Sequence, residues 1–457
     1  MIIYDTLDRT KKELIPLRDN RINIFVCGPT VYDYSHIGHA RTYVFFDMFV
    51  SYLRYLGYDV FYLQNITDID DKIIKRANET NMKPEDIAMK FYSEYIRDML
   101  SLKVDSINIY APATHYVDEI IDQIKRLINL GYAYETDDGV YFEVSKFKDY
   151  GKLSHQNLDE IIAGYRVDIN EKKKNPIDFA LWKKKKEGEP YWPSPFGEGR
   201  PGWHIEDTAI TEHYFGPQYD IHGGGSDLIF PHHECEIAQM EAVSNVKPMV
   251  RYWMHTGLLT IKSERMGKSM GNVIRIRDVL ERYSAEVIRF FLLSSHYRSP
   301  IDFSYENLEK SRETLERIII LYRKLKNKRV FGKENKILDD IKIEWQQFIK
   351  DMDDDVNTPG AISHLMKIVN MANKYYSEIT EVETKEIIRI IEDVDRFFKF
   401  LPEITETEEK LMAFLLNLRE EMRKNKQYEM ADKIRNNLKE LNLYIEDSIE
   451  GPIWYRI

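Results

Sequence analysis

The sequence predicts an α/β fold: a Rossmann-like parallel sheet, split by an insertion and followed by a mainly α-helical C-terminal region. Three observations predict it. A β-rich run at Ile22 to Val26 passes through a short loop into an apolar pattern of helical spacing. The pattern breaks near Val104 and returns at Tyr219. Beyond Ser304 the strand signals fade and the 3.6-residue period dominates.

The elements follow in order. Ile22 to Val26 ends at Cys27-Gly28-Pro29-Thr30, and Val44, Phe45, Met48, Phe49, Tyr52, Leu53 and Leu56 then recur on one helical stripe closed by Gly57. Val60 to Leu63 reads as a second strand, and Asn65-Ile66-Thr67-Asp68 as the start of another helix, which completes a βαβ unit. Ile120 to Leu130 is a helix stopped by Gly131, and Tyr132 to Phe142 a hairpin around Asp137-Asp138-Gly139. A stretch rich in Lys, Gly and Pro from Lys183 to Gly202 leads back to Tyr219-Asp220-Ile221, a glycine run and a helix starting near Pro231. Leu315 to Leu325, Ile391 to Phe398 and Tyr428 to Leu441 carry the amphipathic patterns of the end region. With 457 residues the chain exceeds what one core supports. The expected division is 1–105 and 201–257 for the two halves of the sheet domain, 106–200 for the insertion, 258–304 for a loop region, 305–400 for a helical bundle and 401–457 for a small terminal domain.

Composition sets limits. The chain is 43% apolar and 31% charged, the balance of a globular protein rather than a disordered one. No run approaches the roughly 18 apolar residues of a membrane span, and Met1 to Leu14 is charged where a signal peptide is apolar, so a cytoplasmic protein without membrane association is expected. Cys27 and Cys235 are too few for a disulfide framework and must be explained by burial, metal or reactivity. A net charge of -11 argues against general nucleic-acid binding, although positive charge clusters at Lys172 to Lys174, Lys183 to Lys186 and Arg323 to Arg329. Such clusters fit an RNA-binding face or a solvated surface equally well.

Two motifs carry chemistry. His36-Ile37-Gly38-His39 falls between the first strand and the first helix, where free backbone N–H groups and the helix dipole favour a phosphate. Its imidazoles can donate to charge growing on an α-phosphate, and Gly38 lets a base or ribose approach the backbone. Arg265-Met266-Gly267-Lys268-Ser269 occupies a polar loop before a helix near Val279, from which Lys268 can neutralise departing pyrophosphate. Each motif alone is weak evidence; the pair is stronger.

Together they resemble the HIGH and KMSKS motifs of class I aminoacyl-tRNA synthetases, with Met266, Lys268 and Ser269 matching and Arg265 and Gly267 departing. Four further segments narrow the resemblance: Cys27-Gly28-Pro29-Thr30-Val31-Tyr32-Asp33, Asn65-Ile66-Thr67-Asp68-Ile69-Asp70-Asp71-Lys72, Gly202-Trp203-His204-Ile205-Glu206 and Asp220-Ile221-His222-Gly223-Gly224-Gly225-Ser226-Asp227. In this order they are similar to cysteinyl-tRNA synthetases from about Ile24 to the C-terminus. The resemblance implies activation of L-cysteine by MgATP and transfer to tRNA(Cys) by a monomer. It implies His36, His39 and Lys268 as catalytic residues, and Thr30, Gly38, Asp227 and Ser269 beside them around ATP. Asp227 is open between the ribose hydroxyls and the amino group of cysteine, and a Gly-Gly-Gly-Ser turn with a capping aspartate is its plainer reading. Thr67 and Trp203 resemble residues lining the cysteine pocket; a helix-capping Thr and a buried Trp are the plainer readings. The helical end would grip tRNA and read its anticodon.

The family's single Zn2+ is held by two cysteines, a histidine and a glutamate, which carries over to Cys27, position 207, His232 and Glu236. Here position 207 is Asp207. His232 and Glu236, four apart on a helix, share a face. Three explanations stand for Asp207: it ligates in place of the thiolate at equal charge, with an oxygen–zinc bond of about 2.0 to 2.2 Å; Cys235, one turn from His232, supplies the second sulfur; or the metal is weak or absent and both cysteines are buried apolar residues. Two other functions compete with the ligase, a cysteine:amino-sugar ligase built on the same core and a catalytically silent tRNA-binding paralogue.

Overall fold

The computed structural model describes residues 1–157, 172–262, 264–265, 272–448 and 450–457. They fall into two compact units. The first comprises Met1–Thr260, Arg265–Ile276 and Tyr297–Ile301, and the second comprises Ile261–Glu264, Arg277–His296 and Asp302–Ile457.

The first unit opens with an antiparallel hairpin, β1 (Ile2–Asp5) and β2 (Thr10–Glu13), which the sequence pattern did not announce. Its centre is a five-stranded all-parallel sheet. The strands are β3 (Arg21–Val26), β4 (Asp59–Ile66), β5 (Ile109–Pro112), β10 (Tyr219–Gly225) and β11 (Val250–Thr256), in the order β11-β10-β3-β4-β5. β3 is buried at every residue but its first, as a parallel strand covered on both faces must be. Helix α1 (Ile37–Tyr55) links β3 to β4 and is buried on nearly all sides, including Phe46, Met48 and Phe49. Each such side chain contributes about 1.5–3 kcal/mol of burial.

β4 corrects one expectation. Asn65 and Ile66 belong to the strand, and the next helix, α2 (Asp71–Thr80), is capped by the Asp70 carboxylate on the Lys72 amide. Thr67 therefore caps nothing; its backbone pairs with that of Thr30. The strand continues because its polar end residues find buried partners: the Tyr95 hydroxyl donates to Gln64 Oε1 at 2.5 Å. Helix α3 (Pro84–Ser101) follows, and the chain leaving it is pinned by the buried Asp47 carboxylate, which accepts from the Asp105 and Ser106 amides.

The insertion contains helix α4 (Val117–Asn129) and a four-stranded antiparallel sheet of β6 (Ala133–Glu135), β7 (Gly139–Phe142), β8 (Phe179–Lys184) and β9 (Gly199–Pro201). Helix α5 (Trp203–Phe215) then returns the chain to β10. The glycine run corrects a second expectation: Gly223 to Gly225 are not a turn but the end of β10, paired with Met254 to Thr256. Glycine is needed because a Cβ on Gly223 would collide with the Phe46 ring, and one on Gly224 would come within 2.8 Å of His233. After β10 a single wide turn, Ile229–His233, leads into helix α6 (Glu234–Ser244).

The second unit is a set of helices, among them Tyr305–Lys326, Leu338–Asp353, Thr358–Lys374, Glu381–Phe398, Glu406–Lys424 and Tyr428–Glu440. Thr380 and Thr405 each open a helix with a reciprocal Glu three residues on. The chain ends in an antiparallel hairpin, Leu443–Ser448 with Gly451–Arg456, which the sequence pattern did not announce. It is held on Tyr305–Lys326 by Arg323 Nε donating to the Trp454 carbonyl and by Tyr455 donating to Glu316. No helix among the described residues is long and apolar enough to cross a membrane.

Candidate active site

The carboxyl ends of β3, β10 and β11 and the start of α1 surround a cavity of about 340 Å3, where open parallel sheets place ligands. Its lining includes Cys27, Thr30, Gly38, Trp203 and Asp227, with His36 and His39 beside them. Gly28 belongs to the wall for a steric reason: a Cβ there would overlap the Asn65 carbonyl.

His36 is the N-cap of α1. Its Nδ1 accepts from the His39 amide at 3.3 Å, and His39 Nδ1 accepts from the His36 amide at 3.4 Å. The rings stack at 3.7 Å between centroids. The two histidines thus fix each other at the helix terminus, where an anion is favoured. Lys268 and Ser269 lie outside the described residues.

Beneath the cavity four donors converge. Cys27 Sγ lies 3.1 Å from Asp207 Oδ2, His232 Nε2 lies 3.0 Å from the same oxygen and 3.1 Å from Glu236 Oε1, and Cys27 Sγ lies 3.9 Å from that Glu236 oxygen. All four residues are buried. Asn65 orients Asp207 by donating to Oδ1 at 2.5 Å, and the same side chain accepts from the Gly28 amide. The second nitrogen of His232 meets His204 Nδ1 at 2.7 Å, and the ring stacks on Trp203 at 4.1 Å. Cys235 sits elsewhere. Its thiol contacts the Tyr150 hydroxyl at 3.3 Å beside a separate cavity.

The electrostatics suit a cation. Burial pushes the Cys27 thiol well above its ordinary pKa, and the Asp207 and Glu236 carboxylates push it further. Burial, reinforced by Asp207, also raises Glu236 well above the carboxylate range. Glu236 Oε2 has no hydrogen-bond partner among the described residues. Stranded buried acids of this kind are relieved by a divalent ion, which favours thiolate and carboxylate together. One sulfur, one imidazole and two carboxylates form a zinc-compatible set.

Thr67 is brought near but not into the cavity wall. It is 1% exposed, and its hydroxyl accepts a 3.4 Å hydrogen bond from Asn65. Trp203 is 36% exposed and lines the cavity, so it is not a core tryptophan. Sequence reasoning passed over Asn65, Lys72, His222 and His233. Lys72 Nζ lies over the rings of Tyr32 and Trp203 at the cavity wall. All but His233 stood inside quoted segments; what singles them out is contact across the chain.

The parallel sheet, with paired histidines at its first strand-to-helix turn, defines a class I aminoacyl-tRNA synthetase catalytic domain. Residues 13–313 match the family described as tRNA synthetases class I (C) catalytic domain, and residues 347–401 match the DALR domain. Cysteine–tRNA ligase of Thermoplasma volcanium is 51% identical with both chains covered in full, and that of Methanococcus maripaludis 45% identical over all of this chain and 99% of its own. The fold resembles Mycobacterium tuberculosis methionyl-tRNA synthetase in complex with methionyl-adenylate, with a TM-score of 0.66 at 15% identity over 87% of this chain and 94% of that one. The chain belongs to the cysteine–tRNA ligase family.

Proposed function

We propose that the chain activates L-cysteine with MgATP and transfers it to the 3' end of tRNA(Cys). The observation that carries this reading is the metal-donor cluster of Cys27, Asp207, His232 and Glu236 directly beneath a cavity walled by His36, Gly38 and His39. The cysteine carboxylate attacks the α-phosphorus of ATP, pyrophosphate leaves, and the terminal ribose of the tRNA takes the aminoacyl group. His36 and His39 steady the triphosphate, Lys268 and Ser269 meet the departing pyrophosphate, and Thr30, Gly38 and Asp227 hold the nucleotide. Trp203, stacked on His232, shapes the amino-acid pocket, and Thr67 acts on it only through its hydrogen bond with Asn65. Asp207 completes the donor set in place of a second cysteine. Zinc bound there supplies a soft acceptor that distinguishes a thiol from the serine hydroxyl, a difference too small for shape alone. By the same resemblance a single chain is the working unit, in the cytoplasm, and the helical end carries the anticodon contacts. The match to the DALR domain favours this over an amino-sugar ligase, which lacks that extension.

The test is cysteine-dependent ATP–pyrophosphate exchange with serine as competitor, and zinc content measured on the same sample. Exchange with cysteine alone and about one zinc per chain is expected. Lys268→Ala is expected to lower exchange by about 10²–10³-fold, the usual cost of removing one preorganised charge-stabilising donor. No exchange in the wild type would leave a silent tRNA-binding paralogue; undiminished exchange in Lys268→Ala would remove the loop from the mechanism.

A further inference from the structure

A second set of donors meets at the same thiol. Cys27 Sγ lies 3.7 Å from His222 Nε2 and 3.2 Å from His233 Nε2. His222 Nε2 is 3.6 Å from Glu236 Oε2, and His233 Nε2 is 3.9 Å from Glu236 Oε1. We propose that Cys27, His222, His233 and Glu236 form a second position for a divalent transition-metal ion, alternative to the tetrad of Cys27, Asp207, His232 and Glu236.

Spacing is the first argument. Tetrahedral zinc with bonds of about 2.0–2.3 Å separates its ligand atoms by about 3.3–3.8 Å. The contacts of the second set, 3.2 to 3.9 Å, span that range. In the first set the contacts of Asp207 and His232 are drawn in to 3.0–3.1 Å, the length of hydrogen bonds.

Orientation is the second. Each imidazole of the second set has its other nitrogen engaged from outside: His222 Nδ1 meets the Tyr219 hydroxyl at 2.7 Å, and His233 Nδ1 meets His255 Nε2 at 2.8 Å. His255 is in turn held by Thr6 Oγ1 at 2.8 Å. Such outer partners fix ring and tautomer in metal sites and leave Nε2 aimed inward. Oε1 of Glu236 is shared by the two sets, 3.1 Å from His232 Nε2 and 3.9 Å from His233 Nε2, and Oε2 serves the second. Oε2, fully buried and without a hydrogen-bond partner among the described residues, faces His222.

Ligand chemistry is the third. With Asp207 at its position, the first set offers one sulfur, one nitrogen and two oxygens, and the second offers one sulfur, two nitrogens and one oxygen. Imidazole nitrogen suits borderline ions such as Zn2+ and Co2+, so the second set can hold the same kind of ion. The two sets share Cys27 and Glu236, so the ion occupies one position or the other.

The test reads metal alone and is independent of aminoacylation. The Asp207→Ala/His232→Ala variant is titrated with Co2+, with near-ultraviolet circular dichroism as the check of folding. Retention of one ion with a thiolate-to-cobalt charge-transfer band, abolished by adding His222→Gln and His233→Gln, is the expected result. A folded Asp207→Ala/His232→Ala variant that binds no Co2+ overturns the proposal. Should that variant not fold, X-ray absorption on the wild-type protein with one equivalent of Zn2+ and no cysteine decides. A mean imidazole count above one supports the second position, and a count of one rules it out.

Discussion

Asn65 donates to Asp207 and accepts from the amide of Gly28, so one side chain aims a metal donor and fixes the loop that follows Cys27. Outer partners of this kind are worth about 10–100-fold in metal affinity. Asn65→Ala is accordingly expected to weaken zinc by that factor in competition with a chromophoric chelator, with little change in secondary structure. Unchanged affinity would show that Asp207 needs no such support. The four-residue spacing of His232 and Glu236 is a local signal that supports that pair, whereas Cys27 was marked as a donor by the family resemblance. Asp207 needed the family comparison, and Asn65 was hidden because its partner is 142 residues away. His222 and His233 were hidden too: nothing local says that a histidine inside a strand or a turn points at a thiol.

At the scale of the element, α1 begins on a histidine that does two jobs. As N-cap, His36 satisfies the His39 amide, a contact worth about 1 kcal/mol; as proposed phosphate ligand it acts on charge during adenylation. The roles separate by substitution. His36→Ala is expected to lose about 1 kcal/mol in denaturant unfolding, and His36→Asn, whose side chain caps equally well, to recover it. Pyrophosphate exchange should fall by about 10²–10³-fold in both variants. Full exchange by His36→Asn would reduce the histidine pair to a helix cap. Long elements with one dominant period, α1 and the second-unit helices Tyr305–Lys326, Glu381–Phe398 and Tyr428–Glu440, were legible because their apolar stripes are strong. Some of the elements that escaped were short or masked by a neighbour's pattern. β5 is four residues ending in proline, and the terminal hairpin follows directly on the amphipathic run Tyr428 to Leu441, which carried the helical reading forward.

For the whole molecule, a net charge of -11 leaves basic clusters well supplied with partners. Arg323 pairs with Glu409, Lys324 with Glu446 and Lys326 with Glu392, so the Arg323–Arg329 cluster is engaged with its own surface rather than standing as an open anion-binding face. The same economy ties the insertion to the sheet domain. Asp71, at the first turn of α2, accepts from Lys183 on β8 at 2.6 Å and from Arg200 on β9. Burial opposes ionisation of Asp71, yet Lys183 and Arg200 hold its carboxyl down to about 2. Because the folded value is depressed below the unfolded value of about 3.9, the tie stabilises fully above about pH 4 and is lost as pH falls through about 2. Asp71 is 58% exposed, and screening limits the contribution to about 1 kcal/mol. Urea unfolding of wild type against Asp71→Asn should therefore show a gap of about that size at pH 5. The gap should close towards pH 2, and one that widened with acid would mean that Asp71 is not the ionised partner of Lys183 and Arg200.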